Sequence, residues 1–322
     1  MTLQNSFFIK SICILCVLMN WFLPAGAQSL TPLKLQQPGI YRLQLGDFEV
    51  LALSDGTIPL NLHSLLHDAR PGELNTLLHQ NFLDSVVETS ITAFLVIAND
   101  QRILIDAGSG SFMGATLGKV KENLLAAGIR PEDINAILTT HLHADHIGGL
   151  VNEGKMVFPN ATLYISKQEV NFWLNTANNQ TANKRAQPFF VAAQTAVAPY
   201  QTAGKVKIFE PGAILFPGIS SAPSFGHTPG EAFYILESQG QKMMFWGDIV
   251  HAGAVQFADP AITIDFDVDL TTARITRKKA FEDAVKKGYW IAAPHLSFPG
   301  IGHLRSSGNH YEWLPANYRS IF

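Results

Sequence analysis

Apolar residues along the chain fall into short runs separated by turn signals. Tyr41, Leu43 and Leu45 alternate with polar neighbours, and a largely apolar run from Phe48 to Leu53 reaches Asp55-Gly56, so residues 40 to 60 are predicted as strands that stop at that turn. Residues 91–98 and 102–105 flank Asn99-Asp100 as a hairpin would, and residues 134–138, 162–165, 206–209, 232–236, 243–246 and 290–293 read as further strands. Helical spacing appears at residues 117–127, with Gly128 as a stop, and at 167–175, 184–198 and 271–287. Strands outnumber helices and interleave with them, which predicts an α/β fold of sheets covered by helices.

The first 27 residues are set apart from this pattern. Lys10 precedes an apolar stretch from Ser11 to Leu23, and Ala25-Gly26-Ala27 offers small residues ahead of Gln28, the layout of a cleavable export signal. The alternative is a membrane anchor, but a span needs about 20 apolar residues. Pro24, Gly26, Gln28 and Ser29 interrupt this run. The expectation is a periplasmic or secreted protein with no membrane attachment after cleavage, and a single domain over residues 28–322. Both cysteines, Cys13 and Cys16, lie inside the leader, so the mature chain carries neither disulfides nor thiolate metal ligands.

Composition narrows the partners. Of 322 residues, 47% are hydrophobic and 15% charged, which excludes a disordered chain. With 23 Lys+Arg against 26 Asp+Glu the balance argues against nucleic acid and fits a small, neutral, apolar substrate.

The candidate chemistry lies at the end of the strand predicted at 134–138. Thr140-His141-Leu142-His143-Ala144-Asp145-His146 packs three imidazoles and a carboxylate into six residues. Side chains two apart on an extended segment share a face, so His141 and His143 can converge on one ion, while Asp145 and His146 address a second. These are ligand types that zinc, iron and manganese accept. A lone histidine is ordinarily a core or surface residue; four ligands at this spacing are not. His227, Asp248 and His295 each follow an apolar run beside Gly or Pro, where a functional group on a loop at a sheet edge is expected.

In this order the residues resemble the metallo-β-lactamase-fold hydrolases, whose signature is His-x-His-x-Asp-His followed by a His, a bridging Asp and a final His. All seven positions are filled, and the likeness covers nearly the whole mature chain. Leu53-Ser54-Asp55-Gly56-Thr57, Gly226-His227-Thr228-Pro229-Gly230, Trp246-Gly247-Asp248 and Ser297-Phe298-Pro299-Gly300-Ile301-Gly302-His303 are similar to organophosphate hydrolases of the methyl parathion hydrolase type and their lactonase-like relatives. The resemblance implies a four-layer αββα sandwich with two Zn2+ at one edge, or other divalent metals in their place. His141, His143 and His227 would hold one ion, Asp145, His146 and His295 the other, and Asp248 would bridge them. Two ions, two carboxylates and a shared hydroxide leave a residual charge of about +1, since metal binding lowers the pKa of water from 15.7 to roughly 7. Asp145 and Asp248 are thereby the catalytic carboxylates. The resemblance also implies a homodimer.

Asp106, at the end of residues 102–105, is either an outer partner of a ligand histidine, as the resemblance implies, or a plain turn aspartate. Trp173 and Phe190 match aromatics that line the pocket in the related hydrolases, with Phe112 or Met113 as further candidates; the other reading is core packing. His251, His303 and His310 are read as solvent-exposed, and His63, His67 and His79 as surface residues.

The implied activity is cleavage of an ester-like bond in a lactone, aryl ester or phosphotriester by hydroxide held between the metals. β-Lactam hydrolysis is disfavoured because the commonest lactamases have cysteine where this chain has Asp248. Alternatives are a mononuclear iron dioxygenase acting on persulfides and a non-catalytic metal-binding protein.

Overall fold

The structure is a computed structural model that describes residues 39–182, 184, 186–318 and 320; the expected leader lies outside them. Two seven-stranded sheets form the body of the protein. The first runs, in spatial order, Ile40–Leu45, Phe48–Asn61, Val86–Ala98, Gln101–Ile105, Ala136–Leu138, Thr162–Ser166 and Val206–Phe209. The second runs Ile214–Phe216, Ile219–Pro223, Ala232–Ser238, Gln241–Phe245, Trp290–Ala292, Ile301–Ser307 and His310–Pro315.

Three apolar clusters show how these layers stack. Leu43, Val50, Val96 and Ile103 from the first sheet meet Ile219, Tyr234, Phe245 and Ile301 from the second in a shared core. The outer face of the first sheet packs under helices that contribute Val120, Leu124, Trp173, Phe190 and Tyr200, and the second sheet packs under Phe281 and Ala284 of helix Leu270–Lys287. Alternating strand positions thus feed opposite cores, which is why both faces of each sheet are apolar. The result is the expected four-layer αββα sandwich.

Several boundaries differ from the sequence pattern. Asp55-Gly56 is not a turn: the strand continues to Asn61 through a bulge between Ser54 and Gly56. Asp55 is buried, and its carboxylate accepts from the Ser109 amide at 2.8 Å, the Ser109 hydroxyl at 2.5 Å and the Val120 amide at 3.2 Å. The helix expected from residue 117 begins at Val120, because Gly118 with φ 83° breaks the preceding turn. The helix expected at 184–198 spans Gln187–Thr202, carrying Pro199 inside it, and the one expected at 167–175 ends at Trp173, since Asn175 caps the next helix. Four strands of the second sheet, Ile214–Phe216, Ile219–Pro223, Ile301–Ser307 and His310–Pro315, were absent from the pattern. They lie at its margins, where many side chains face solvent and apolar alternation is weak.

The parallel strands position the site. Gln101–Ile105, Ala136–Leu138 and Thr162–Ser166 pair in parallel, as do Gln241–Phe245 and Trp290–Ala292. Beyond their carboxyl ends lie Asp106, the His141 segment, Glu169, Asp248 and His295. Chemistry-bearing loops from both sheets therefore gather at one edge.

Candidate metal centre

Two sets of ligand atoms converge there, His141, His143, His227 and Asp248 in one, and Asp145, His146, His295 and Asp248 in the other, each with all its ligand atoms within 4.8 Å of one another. In the first set His227 Nε2 is 3.0 Å from His143 Nδ1 and 3.3 Å from Asp248 Oδ2, and His141 Nε2 is 3.6 Å from Asp248 Oδ2. In the second, His146 Nε2 is 3.1 Å from Asp248 Oδ1 and 3.4 Å from Asp145 Oδ2, which is itself 3.4 Å from His295 Nε2. A tetrahedron of ligands around an ion with bonds near 2.0–2.1 Å has edges of about 3.3 Å. The separations match that figure, and Asp248 is common to both sets.

Unpartnered atoms give an independent test of fit. His141 Nε2, His146 Nε2 and Asp248 Oδ1 are buried without a hydrogen-bond partner, one from each set and one from the shared carboxylate. Buried polar atoms without partners are costly unless something else satisfies them. A divalent cation in each set would do so.

The opposite side of four of the five imidazoles is tied to the fold. His146 Nδ1 donates to Asp106 Oδ2 at 2.8 Å, His227 Nδ1 to Asp267 Oδ1 at 2.9 Å and His295 Nδ1 to the Ser90 carbonyl at 3.0 Å. His141 Nδ1 lies 3.1 Å from Thr140 Oγ1, whose hydroxyl donates to Asp106 Oδ2 at 2.8 Å. Such partners fix tautomer and ring orientation, leaving Nε2 free to ligate. Asp106 therefore accepts from His146, a member of the second set, the contact that an outer partner would make.

The charges are arranged to receive cations. Burial opposes ionisation of Asp248 and Asp145, yet the surrounding imidazoles, His146 foremost, hold both carboxyls well below their ordinary range. Burial likewise opposes protonation of His146, but Asp248, Asp145 and Asp106 outweigh it and raise the imidazole well above its usual value. His227 rises to about 10 by its bonds to Asp248 and Asp267 against the cost of burial, whereas burial and neighbouring imidazoles push His141 and His143 well down. The carboxylates thus favour positive charge beside them, and divalent ions would supply it without protonating a ligand.

Several functional residues differ from expectation. His251 is not solvent-exposed: it is buried, its Nε2 donates to Asp248 Oδ2 at 3.1 Å, and its ring stacks on His295 at 4.8 Å. Its neighbours in sequence are small or apolar, so nothing in the pattern separates it from a surface histidine. His67 is half-buried and paired with Asp265, while His63, His79 and His310 are exposed. His303 is half-buried against Trp290. Buried acidic residues also escaped the sequence: Glu231 accepts the Asp248 amide at 2.6 Å, and Asp267 contacts the buried Arg277 at 3.5 Å.

The aromatic wall is rearranged. Trp173 and Phe190 are both core residues of the outer layer; Trp173 meets the His143 ring edge-on at 5.2 Å, and Phe190 packs behind it at 4.6 Å. Phe190 thus does not face the metal centre, because the helix turn that buries it presents Phe189, half-buried, to His143 at 5.0 Å. Phe112 and Met113 are half-buried, with Phe112 against the outer core. A cavity of about 790 Å³ opens on the other flank, lined by His295, His251, Leu62, Thr89, Leu296 and Trp313 among others.

The fold and the paired ligand sets define a metal-dependent hydrolase built on a two-sheet sandwich. The chain belongs to the metallo-β-lactamase superfamily, whose family model matches residues 86–313. It is similar to the solved hydrolase AbOPH of the β-lactamase superfamily, 39% identical with a TM-score of 0.85 over 89% of this chain and 100% of that one. It is similar too to AidC, a dizinc quorum-quenching lactonase solved with its product N-hexanoyl-L-homoserine, at 31% identity and a TM-score of 0.82 over 88% and 99%. A ribonuclease of Thermus thermophilus, TTHA0252, is 26% identical over 177 residues, 54% of this chain. The chain spans only 38% of that relative's length.

Proposed function

We propose that the protein is an exported dinuclear zinc hydrolase of ester-like bonds in small, neutral, apolar molecules, with lactones its principal substrates and aryl esters or phosphotriesters within reach of the same site. The observation that carries this reading is the sharing of Asp248 between two ligand sets, each complete without a cysteine. The likeness to a dizinc lactonase across 88% of the chain supports the choice of metal and of lactones.

Two divalent ions would supply Lewis acidity and a water that ionises near neutral pH. The chain's own residues prepare the site for them. Asp106, Asp267 and the Ser90 carbonyl hold Nδ1 protons on His146, His227 and His295, so Nε2 of each is the nitrogen turned toward the site. Asp145, the ligand with the most solvent contact at 16% side-chain exposure, marks the mouth of the site. Phe189 borders His143 and gives one apolar contact, and the 790 Å³ cavity beside His295, lined by Leu62, Leu296 and Trp313 but also by Arg70, Glu88 and Glu312, gives room for the body of a substrate. A single-iron dioxygenase would leave the second ligand set without purpose, and a metal store would not need a shared carboxylate. With 23 basic against 26 acidic residues the chain lacks the excess of cations that a nucleic-acid substrate calls for.

Export is supported by the leader pattern of residues 1–27, and a homodimer is part of the same reading. Metal analysis of the purified protein, followed by hydrolysis of a lactone, an aryl ester and a phosphotriester, tests the whole. Two zinc ions per chain and highest kcat/KM on the lactone are expected. A fully active enzyme with one ion, or a zinc-loaded enzyme that turns over none of the three, defeats it.

A further inference from the structure

Glu169 is fully buried and belongs to neither ligand set. Its setting, Ser166-Lys167-Gln168-Glu169, is that of a capping box, in which the glutamate reaches back to the amide of the capping serine. Only half of that box is present. Ser166 Oγ accepts from the Glu169 amide at 3.4 Å, but the carboxylate turns toward the loops of the site. Oε2 accepts the Leu142 N–H at 2.9 Å, and Oε1 accepts the Gly230 N–H at 2.8 Å.

Both partners are informative. Leu142 stands between His141 and His143, and Gly230 closes the loop that carries His227, so one carboxylate ties together the backbone of all three histidines of a single set. The grip on Gly230 is two-sided, because Ser166 Oγ donates to its carbonyl at 2.5 Å. The approach is also too close for a side chain: a Cβ at residue 230 would lie 2.3 Å from the Glu169 amide nitrogen and 2.6 Å from Ser166 Oγ. The other set is held by different groups, Asp106 on His146 and the Ser90 carbonyl on His295.

We propose that Glu169 is a positioning residue specific to the His141/His143/His227 site, setting the spacing of its three imidazoles through two backbone amides. A carboxylate is required chemically. Both partners are N–H donors, so both oxygens must accept, and the isosteric glutamine offers one acceptor and one donor. A residue that merely filled space would tolerate that exchange.

The inference rests on the two-metal reading above, and its test separates the two. In the full-length protein loaded with zinc, Glu169→Gln is to be compared with wild type by chelator competition, metal content and thermal melting. One of the two affinities is expected to fall roughly 10- to 100-fold, as loss of an outer partner typically does, with the other unchanged. In a His295→Ala background, which leaves the three-histidine set intact, Glu169→Gln should weaken the remaining ion by the same factor; in a His227→Ala background it should change the remaining affinity little. Ser166→Ala, which removes the second grip on Gly230 together with the helix cap on the Glu169 amide, should weaken the same site by a smaller factor and covers the case in which Glu169→Gln does not fold. Wild-type affinities in these variants, or equal weakening of both sites, overturn the assignment of Glu169. A wild-type protein that binds one ion overturns the two-metal reading itself, and this proposal with it.

Discussion

Asp106 Oδ2 accepts the Nδ1 proton of His146 at 2.8 Å. The same carboxylate accepts the Thr140 amide and the Thr140 hydroxyl, each at 2.8 Å, and that hydroxyl is 3.1 Å from His141 Nδ1. One side chain therefore orients an imidazole in each ligand set, directly in one case and through a hydroxyl in the other. It does so from a left-handed backbone, with φ of 58°.

Asp106→Asn isolates this function, since asparagine tolerates a left-handed φ nearly as well as aspartate. All three donors around Asp106 need an acceptor, and the amide supplies only one oxygen. Metal affinity should drop roughly 10- to 100-fold while the folded structure persists. Zinc per chain after dialysis against a weak chelator measures this, and full retention of both ions would refute it.

Arg277 is buried against the loop that carries Asp248 and against Asp267, the partner of His227. Its Nε donates to the Ile249 carbonyl at 2.5 Å, one terminal nitrogen to the Ile262 carbonyl at 2.8 Å, and the other lies 3.5 Å from Asp267 Oδ2. Arg277→Met would leave the buried Asp267 carboxylate with His227 alone beside it and the Ile249 and Ile262 carbonyls without their donor. Breaking a buried pair in this way costs about 3–5 kcal/mol. Urea denaturation of the metal-free protein should show a loss of that order, and a change below about 1 kcal/mol would mean that Asp267 is neutralised by other means.

How much of this was legible in the sequence depends on how local each signal is. The His141-to-His146 block was readable because its spacing and a strand geometry suffice to make the ligands converge. His227, Asp248 and His295 were readable from their place after apolar runs. His251 and Arg277 were not, because their roles arise from contacts between segments that no periodicity records. Glu169 was hidden differently: its local pattern is that of a helix cap, and tertiary contacts divert the carboxylate. Asp55 shows the same override, since a turn signal was absorbed into a bulge by three donors on distant segments.

Stability of the metal-free chain should fall as pH rises above about 7. Against the cost of burial, bonds to Asp248 and Asp267 raise His227 to about 10, and burial raises Glu231 to about 8. A group whose folded pKa is raised contributes stability that is complete below its unfolded pKa and is lost as pH climbs through the folded one. Both groups therefore act with the same sign. Between about pH 7 and 10 the loss approaches 1.4 kcal/mol per pH unit for each proton the folded state retains and the unfolded state has released. An ion held by His227 would stand in place of its proton, so the loaded protein should be flatter over this window. Urea midpoints at pH 7 and 9.5, with and without metal, decide the matter; a metal-free protein more stable at pH 9.5 contradicts the shifts.

Phe189 and Phe190 are adjacent in sequence and point to different chemistry. Phe189 is half-buried 5.0 Å from the His143 ring, whereas Phe190 is buried 4.6 Å from Trp173 in the outer core. Removing a ring that contacts substrate costs about 1–3 kcal/mol, or 10- to 200-fold in kcat/KM. Removing a buried phenylalanine costs about 3–5 kcal/mol of stability. Phe189→Ala should accordingly lower kcat/KM on a neutral lactone or aryl ester with zinc content and melting temperature nearly unchanged. Phe190→Ala should melt early, yet retain much of its kcat/KM at a temperature where it is still folded. Kinetics and melting on the same two samples test the pair together. If Phe190→Ala alone loses kcat/KM at full stability, the helix presents the other face to the substrate, and the wall belongs to Phe190 after all.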